Sequence, residues 1–391
     1  MSVSNANKQE ICERNQELLR IIYFIGNKVM LLKQLSQYAF ALGLASNLSD
    51  FYSQIAKLEQ NEIIRREAFS AYGRKSQLQM ITLRKYGIRY VEGKPNSYSV
   101  ASVPRATSNE RILVSVFKNC YILSKILPRI YKESKIITLD KIFDLLKRDC
   151  STLLLNKNEG IRYLSELTGD HRLQPYLDIV GIEHDIEQMR IVANKRSQGL
   201  KKGSYATNGK GKGKKIHSSL ESSLNEAIKA YNNVSVHDNL FVSPKNKRIE
   251  CFSVDSMLNC HYHIAQVKII HNRPVITVLM FDIHNKQDAH RIAADIACIF
   301  HMLNRYMKNE FRLKIGVVCL DEVASIRVKN ASNAFVRDFV TKEIKGTRLS
   351  TALNDWCIDV IMQEQIEVYF THYDVYNQFL DGIKHANLLR Q

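Results

Sequence analysis

Residues 195–216 constrain the fold more than any other stretch of this chain. They read Lys195-Arg196-Ser197-Gln198-Gly199-Leu200-Lys201-Lys202-Gly203-Ser204-Tyr205-Ala206-Thr207-Asn208-Gly209-Lys210-Gly211-Lys212-Gly213-Lys214-Lys215-Ile216, with eight Lys and Arg, no Asp or Glu, and five of the protein's 16 glycines. Like charges repel one another, glycine is costly to order, and there is almost nothing apolar to bury. The composition predicts a flexible basic linker. Folded structure is therefore expected on either side of it.

The same stretch explains much of the charge. The 391-residue chain carries a net +17. Residues 1–100 hold 14 Lys and Arg against 8 Asp and Glu, whereas residues 101–194 have a net +2 and residues 217–391 a net +1. Such an excess favours salt-dependent association with a polyanion. Its distribution places the expected DNA-binding surface at the N-terminus and in the linker, not in the C-terminal half. The linker is not a nucleotide-binding loop, because Gly203 and Gly209-Lys210 miss the required spacing by one residue and Gly211 stands where Ser or Thr is needed.

Residues 1–15 are polar and read as frayed. Helical spacing of Leu18, Leu19 and Ile22 predicts a helix over 16–26, and Leu31 to Phe40 repeats the pattern. Ser49 reads as the N-cap of a third helix with Phe51, Ile55 and Leu58 on one face. The other face offers Tyr52, Ser53, Gln54 and Lys57. Two strand-like runs follow, 62–69 and 78–83, around a turn at 71–75. Three short helices and then a hairpin is the order of a winged helix-turn-helix. In that arrangement the third helix meets base edges, while Arg65, Arg66, Arg74 and Lys75 of the wing meet phosphates. Lys201, Lys202, Lys210, Lys212, Lys214 and Lys215 of the linker would add sequence-independent affinity.

Residues 101–194 read as helical, with segments near 108–127, 138–149, 158–168 and 183–197, and with Pro104 and Pro128 bracketing the first. Residues 217–391 read as an α/β domain: a helix near 218–231, strands near 239–243, 248–254, 260–270 and 274–283, a helix over 287–307 and a buried strand over 313–320. Helices near 334–345 and 350–356 and a strand near 366–371 complete it. The fold class expected is α+β, in four parts: a winged helix in 1–100, a helical domain in 101–194, the linker 195–216 and the α/β domain 217–391.

Candidate chemistry in the C-terminal half is sparse. Asp282 ends an apolar strand, Lys286 follows, and Asp255 lies on an earlier segment. Strand carboxylates followed by a lysine can hold Mg2+ for phosphodiester cleavage. Met280 and His284, the same-face neighbours of Asp282, supply no second acid. A domain used for packing or partner contact is thus the expectation, with no cofactor. Asp321-Glu322 reads as a solvated turn. Cys260, His261, His263 and His271 lack zinc-site spacing, since Cys260 faces away from His261 and His263 on a strand.

Eight cysteines without a C-x-x-C pair suggest small core residues in a reducing compartment. No apolar run approaches the roughly 18 residues of a membrane helix, and no signal peptide opens the chain. A cytoplasmic protein without membrane contact is expected.

The winged-helix pattern together with Leu78-Gln79-Met80-Ile81-Thr82-Leu83-Arg84-Lys85-Tyr86-Gly87 resembles the replication-relaxation proteins of Gram-positive plasmids and mobile elements. Their C-terminal half is similar to a restriction-endonuclease-like domain, and Met280-Phe281-Asp282-Ile283-His284 before the helix 287–307 corresponds to its acidic strand. Only Asp282 of the usual two acids is present, which implies a degenerate site. The resemblance implies a DNA-binding accessory protein of a mobile genetic element, acting in replication, transfer or recombination. Paired half-sites imply a homodimer, and residues 217–391 would contact a protein partner. A transcriptional repressor and a metal-dependent nuclease are the alternatives.

Overall fold

A computed structural model describes residues 5–71, 74–103, 110–155, 159–203, 240–242, 249–251, 254–259, 261–283, 288–308, 310–332 and 347–373. The chain is mixed α+β. Among the described residues no helix is long and apolar enough to cross a membrane.

The N-terminal part begins with helices α1 (Asn5–Arg14) and α2 (Gln16–Arg20), a π turn Ile21–Ile25, and strand β1 (Val29–Leu31). Helices α3 (Leu32–Ala41) and α4 (Leu48–Gln60) follow, then strands β2 (Ile64–Ala71) and β3 (Arg74–Leu83) and helix α5 (Lys85–Glu92). Residues 5–14 are thus helical, not frayed. Cys12 is fully buried, and Asn7 and Lys8 bond to Asn61 and Glu62 just beyond α4. β3 lies between β1 and β2, antiparallel to both.

The middle consists of α6 (Glu110–Tyr121), a π turn Ile122–Ile126, α7 (Leu127–Ser134), α8 (Leu139–Arg148), α9 (Gly160–Thr168) and α10 (Ile179–Gly203). Pro128 does not end the first of these helices. Proline has no N–H to donate to the preceding turn, and the widened π turn precedes it directly while α7 begins at Leu127. α10 runs to Gly203, nine residues into the stretch expected to be linker.

In the C-terminal half, short strands β4 (Leu240–Val242) and β5 (Ile249–Cys251) pair with each other. Helix α11 (Val254–Asn259) leads into a mixed sheet of β6 (Tyr262–Ile270), β7 (Arg273–Phe281), β8 (Arg312–Cys319) and β9 (Ile366–His372), in that order. His271 and Asn272, with φ of 48° and 61°, form the two-residue turn that joins antiparallel β6 and β7. β7, β8 and β9 are parallel, and α12 (Ala289–Tyr306) carries the chain from β7 to β8. Helices α13 (Glu322–Ser332), α14 (Arg348–Asn354) and α15 (Val360–Gln363) lie between β8 and β9. Asp321-Glu322, expected as a turn, begins α13. The helices expected near 218–231 and 334–345 lie outside the described residues.

The near-continuous apolar runs of β7 and β8 have a direct consequence. Successive strand residues point to opposite faces, so both faces of these strands must be covered. Ile276, Val278 and Met280 join one core with Ile292, Ile296 and Ile299 of α12. Leu279 and Phe281 join another with Phe117 of α6 and with the N-terminal helices. β8 divides the same way, Leu313, Ile315 and Val317 on one side and Val318 on the other, joined there by Leu320 just beyond the strand. Two cores are thus formed, one on each face of the sheet. Each draws residues from before and after the lysine–glycine stretch.

A buried lysine sits at this junction. Lys118 on α6 is 5% exposed, and its Nζ donates to the Leu155 carbonyl at 3.3 Å. Burial pulls its pKa down from 10.5 to about 8, against a smaller opposing pull from Glu159. The unfolded chain then binds more protons between those two values, so stability rises with pH across that window. Below it the folded protein holds a buried ammonium. Lys118→Met is expected to unfold with roughly 2 kcal/mol more stability at neutral pH, less than the full shift implies because the side chain borders a cavity. That gap should close as the pH approaches 10.5. Urea titrations at neutral and alkaline pH measure both values, and a variant less stable at neutral pH would contradict the account.

Candidate nucleic-acid interface

Helix α4 owes its position to its caps and its inner face. Asn47 Oδ1 accepts from the Asp50 N–H at 2.9 Å, and Asp50 in turn accepts from the Ser46 N–H at 3.0 Å. This reciprocal arrangement satisfies backbone donors at the helix start. The bonds from Ser46 and Gln54 hold the Asp50 carboxyl below its usual pKa. The cap is Asn47, not Ser49, which lies inside the helix. Phe51, Ile55 and Leu58 are fully buried, and the Phe51 ring lies 6.4 Å from that of Phe40 on α3.

The opposite face is open. Tyr52 is 45% exposed, and Ser53 and Lys57 are exposed beside it. The Tyr52 ring rests edge-on against Phe51 at 5.6 Å. Gln54 differs from expectation. It is half-buried, and its Nε2 donates to the Leu44 carbonyl at 3.0 Å and to Asp50 Oδ1 at 3.2 Å. Its amide thus ties the helix to the preceding loop, and three outward residues remain from the four expected.

The hairpin beside α4 holds its first two arginines in ion pairs. Arg65 Nε bonds to Glu67 Oε2 at 3.0 Å, and Arg66 pairs with Glu59 on α4. These partly exposed pairs contribute little stability; Arg65–Glu67 lies within β2, and Arg66–Glu59 joins the strand to α4. Arg74 and Lys75 open β3 at the far end of the hairpin, opposite Ala71 and Ser70. Lys201 and Lys202 lie in α10. Lys210, Lys212, Lys214 and Lys215 lie outside the described residues.

Of the candidate nuclease residues, Asp282 is the one whose side chain is described. Asp282 follows β7 directly, is 6% exposed, and donates its backbone N–H to the Val318 carbonyl at 2.9 Å. Its Oδ2 lies 4.0 Å from Cys319 Sγ, and burial and the nearby carboxylates push that thiol's pKa up. The cavity it borders has a volume of about 10 Å³. Asp255 lies in helix α11 and not on a strand, and Lys286 is outside the described residues. Among the described residues no three His, Cys, Asp or Glu side chains are grouped as metal ligands would be.

These elements define a mixed α+β protein with a three-stranded antiparallel sheet near its N-terminus and a four-stranded mixed sheet near its C-terminus. No family model, no curated protein and no solved structure matches the chain.

Proposed function

We propose that this protein binds DNA through a winged helix built from α3, α4 and the β2–β3 hairpin, and serves as an accessory factor of a mobile genetic element in replication, transfer or recombination. The observation that carries the reading is α4, with Phe51, Ile55 and Leu58 buried beneath an outward face of Tyr52, Ser53 and Lys57. A helix so anchored can enter a major groove without losing its core. The sheet order β1-β3-β2 is in keeping with it, as is the net +17 concentrated in residues 1–100 and 195–216. Pairing of two copies on two half-sites and contact of the C-terminal sheet domain with a protein partner belong to the same proposal.

The test is fluorescence anisotropy of the full chain on random and element-derived duplexes across a salt series. Arg74→Ala with Lys75→Ala should weaken binding to every duplex about tenfold near 0.1 M salt, and each lost phosphate contact should reduce the salt slope by about 0.9. Neutralising Lys210, Lys212, Lys214 and Lys215 should flatten that slope further. Tyr52→Ala should change the ranking among duplexes. Unaltered affinity and slope in all three variants would remove α4 and its hairpin as the DNA-reading element.

A further inference from the structure

A cavity of about 960 Å³ opens where the N-terminal part, the middle helices and the C-terminal sheet meet. Two side chains at its base, each more than nine-tenths buried, are Lys118 and His263. His263 Nδ1 lies 3.2 Å from the Thr152 carbonyl. A carbonyl only accepts, so the proton belongs on Nδ1 and leaves Nε2 with an acceptor lone pair. No protein group lies within hydrogen-bonding distance of that Nε2. Burial and the neighbouring Lys118 both disfavour a charged His263, which keeps the lone pair available. Lys118 meets one carbonyl, that of Leu155, with an ammonium that has three hydrogens to donate.

Part of the wall is aromatic. Phe24, 43% exposed, stands edge-on to Tyr23 at 4.8 Å and to Phe143 at 5.9 Å. Three rings from two distant segments thus line a space that also holds Lys118 and His263, with Lys28, Lys147, Arg162, Asp144, Glu159 and Glu166 on the same lining. An exposed phenylalanine beside a buried ammonium and an unpartnered imidazole nitrogen is costly unless something fills the space between them.

We propose that this cavity is a binding site for a small aromatic hydroxy acid, its carboxylate on Lys118 Nζ, its hydroxyl donating to His263 Nε2 and its ring against Phe24 and Phe143. The size suits it, since pockets of roughly 300–1,000 Å³ take ligands of this class. A carboxylate neutralises the buried ammonium, and a hydroxyl is the donor that His263 lacks. The site stands apart from the DNA-binding proposal and does not depend on it.

Calorimetric titration of the full-length protein with 3-hydroxybenzoate and 4-hydroxybenzoate tests this, with benzoate and 4-hydroxybenzamide as controls. One equivalent of a hydroxybenzoate should bind, and loss of either the hydroxyl or the charge should weaken binding about tenfold or more. Lys118→Met and Lys118→Gln should each abolish hydroxybenzoate binding. His263→Phe should weaken it about tenfold while leaving benzoate affinity unchanged. Trp356 fluorescence during urea unfolding shows that each variant is folded. Failure of both hydroxybenzoates to bind the unaltered protein, or equal binding by folded Lys118 variants, would overturn the assignment.

Discussion

Phe117→Ala is expected to destabilise the whole protein by about 4 kcal/mol, the usual cost of emptying a phenylalanine site in a packed core. Phe117 is fully buried on α6, and its ring lies 5.3 Å from Phe281 at the end of β7 and 6.4 Å from Tyr373 just beyond β9. All its described aromatic neighbours therefore lie on the far side of the lysine–glycine stretch. The chain has one tryptophan, Trp356, 2% exposed in the C-terminal half. If both halves share the core, the Trp356 transition in urea should move to lower denaturant together with far-ultraviolet circular dichroism, each reporting the same loss. A Trp356 transition unmoved by Phe117→Ala would mean that the C-terminal half unfolds on its own.

The second large effect lies at the opposite face of the sheet. Asp185 on α10 is 5% exposed and accepts from Arg305 of α12 at 2.8 and 2.7 Å, in the paired geometry guanidinium and carboxylate favour, and from Tyr306 at 3.1 Å. Asp185→Ala removes three acceptor contacts and leaves Arg305 without that counter-charge, at a cost of about 3 kcal/mol. Asp185→Asn keeps the volume and should cost about half as much. Joint replacement by Asp185→Leu and Arg305→Met should recover most of the loss, because breaking a buried pair is worse than replacing it with apolar groups. Chemical unfolding of the four proteins measures this, and a loss under about 1 kcal/mol for Asp185→Ala would place the pair among weak surface contacts. The backbone reinforces the same junction, where Asp178 N–H donates to the Tyr306 carbonyl and Lys308 N–H to that of Tyr176, both at 2.9 Å.

Local pattern determined the elements. Phe51, Ile55 and Leu58 at helical spacing, the runs 274–283 and 313–320, and Ile292, Ile296, Ile299 and Leu303 over about three turns each matched a described helix or strand, because periodicity of apolar residues is set by backbone geometry alone. Where single residues set an end, the reading was weaker. Asn47, not Ser49, caps α4, since either side chain suits an N-cap and only the chain's approach to the helix selects one. Pro128 was read as a stop, yet the π turn before it accommodates the missing N–H.

Sites and boundaries were another matter. Gln54 belongs to the outward face by spacing, but its bond to the Leu44 carbonyl is a loop contact that no spacing encodes. Lys118 stood out only as a lone charge in Ile112-Leu113-Val114-Ser115-Val116-Phe117-Lys118, and the reading of that run as one more helix passed over it. His263 was read as an ordinary strand residue without zinc-site spacing. Its orphaned Nε2 follows from the Thr152 carbonyl 111 positions earlier in the chain. The sequence by itself thus determined the α+β class, several of the longer elements and the placement of charge, all of which depend on neighbours within a few residues. Only the tertiary structure decided that both faces of β7 and β8 are covered from opposite sides of the lysine–glycine stretch, and that Lys118 and His263 share one cavity. Those facts depend on contacts between residues more than a hundred positions apart, and burial, not sequence spacing, sets the energy of such contacts.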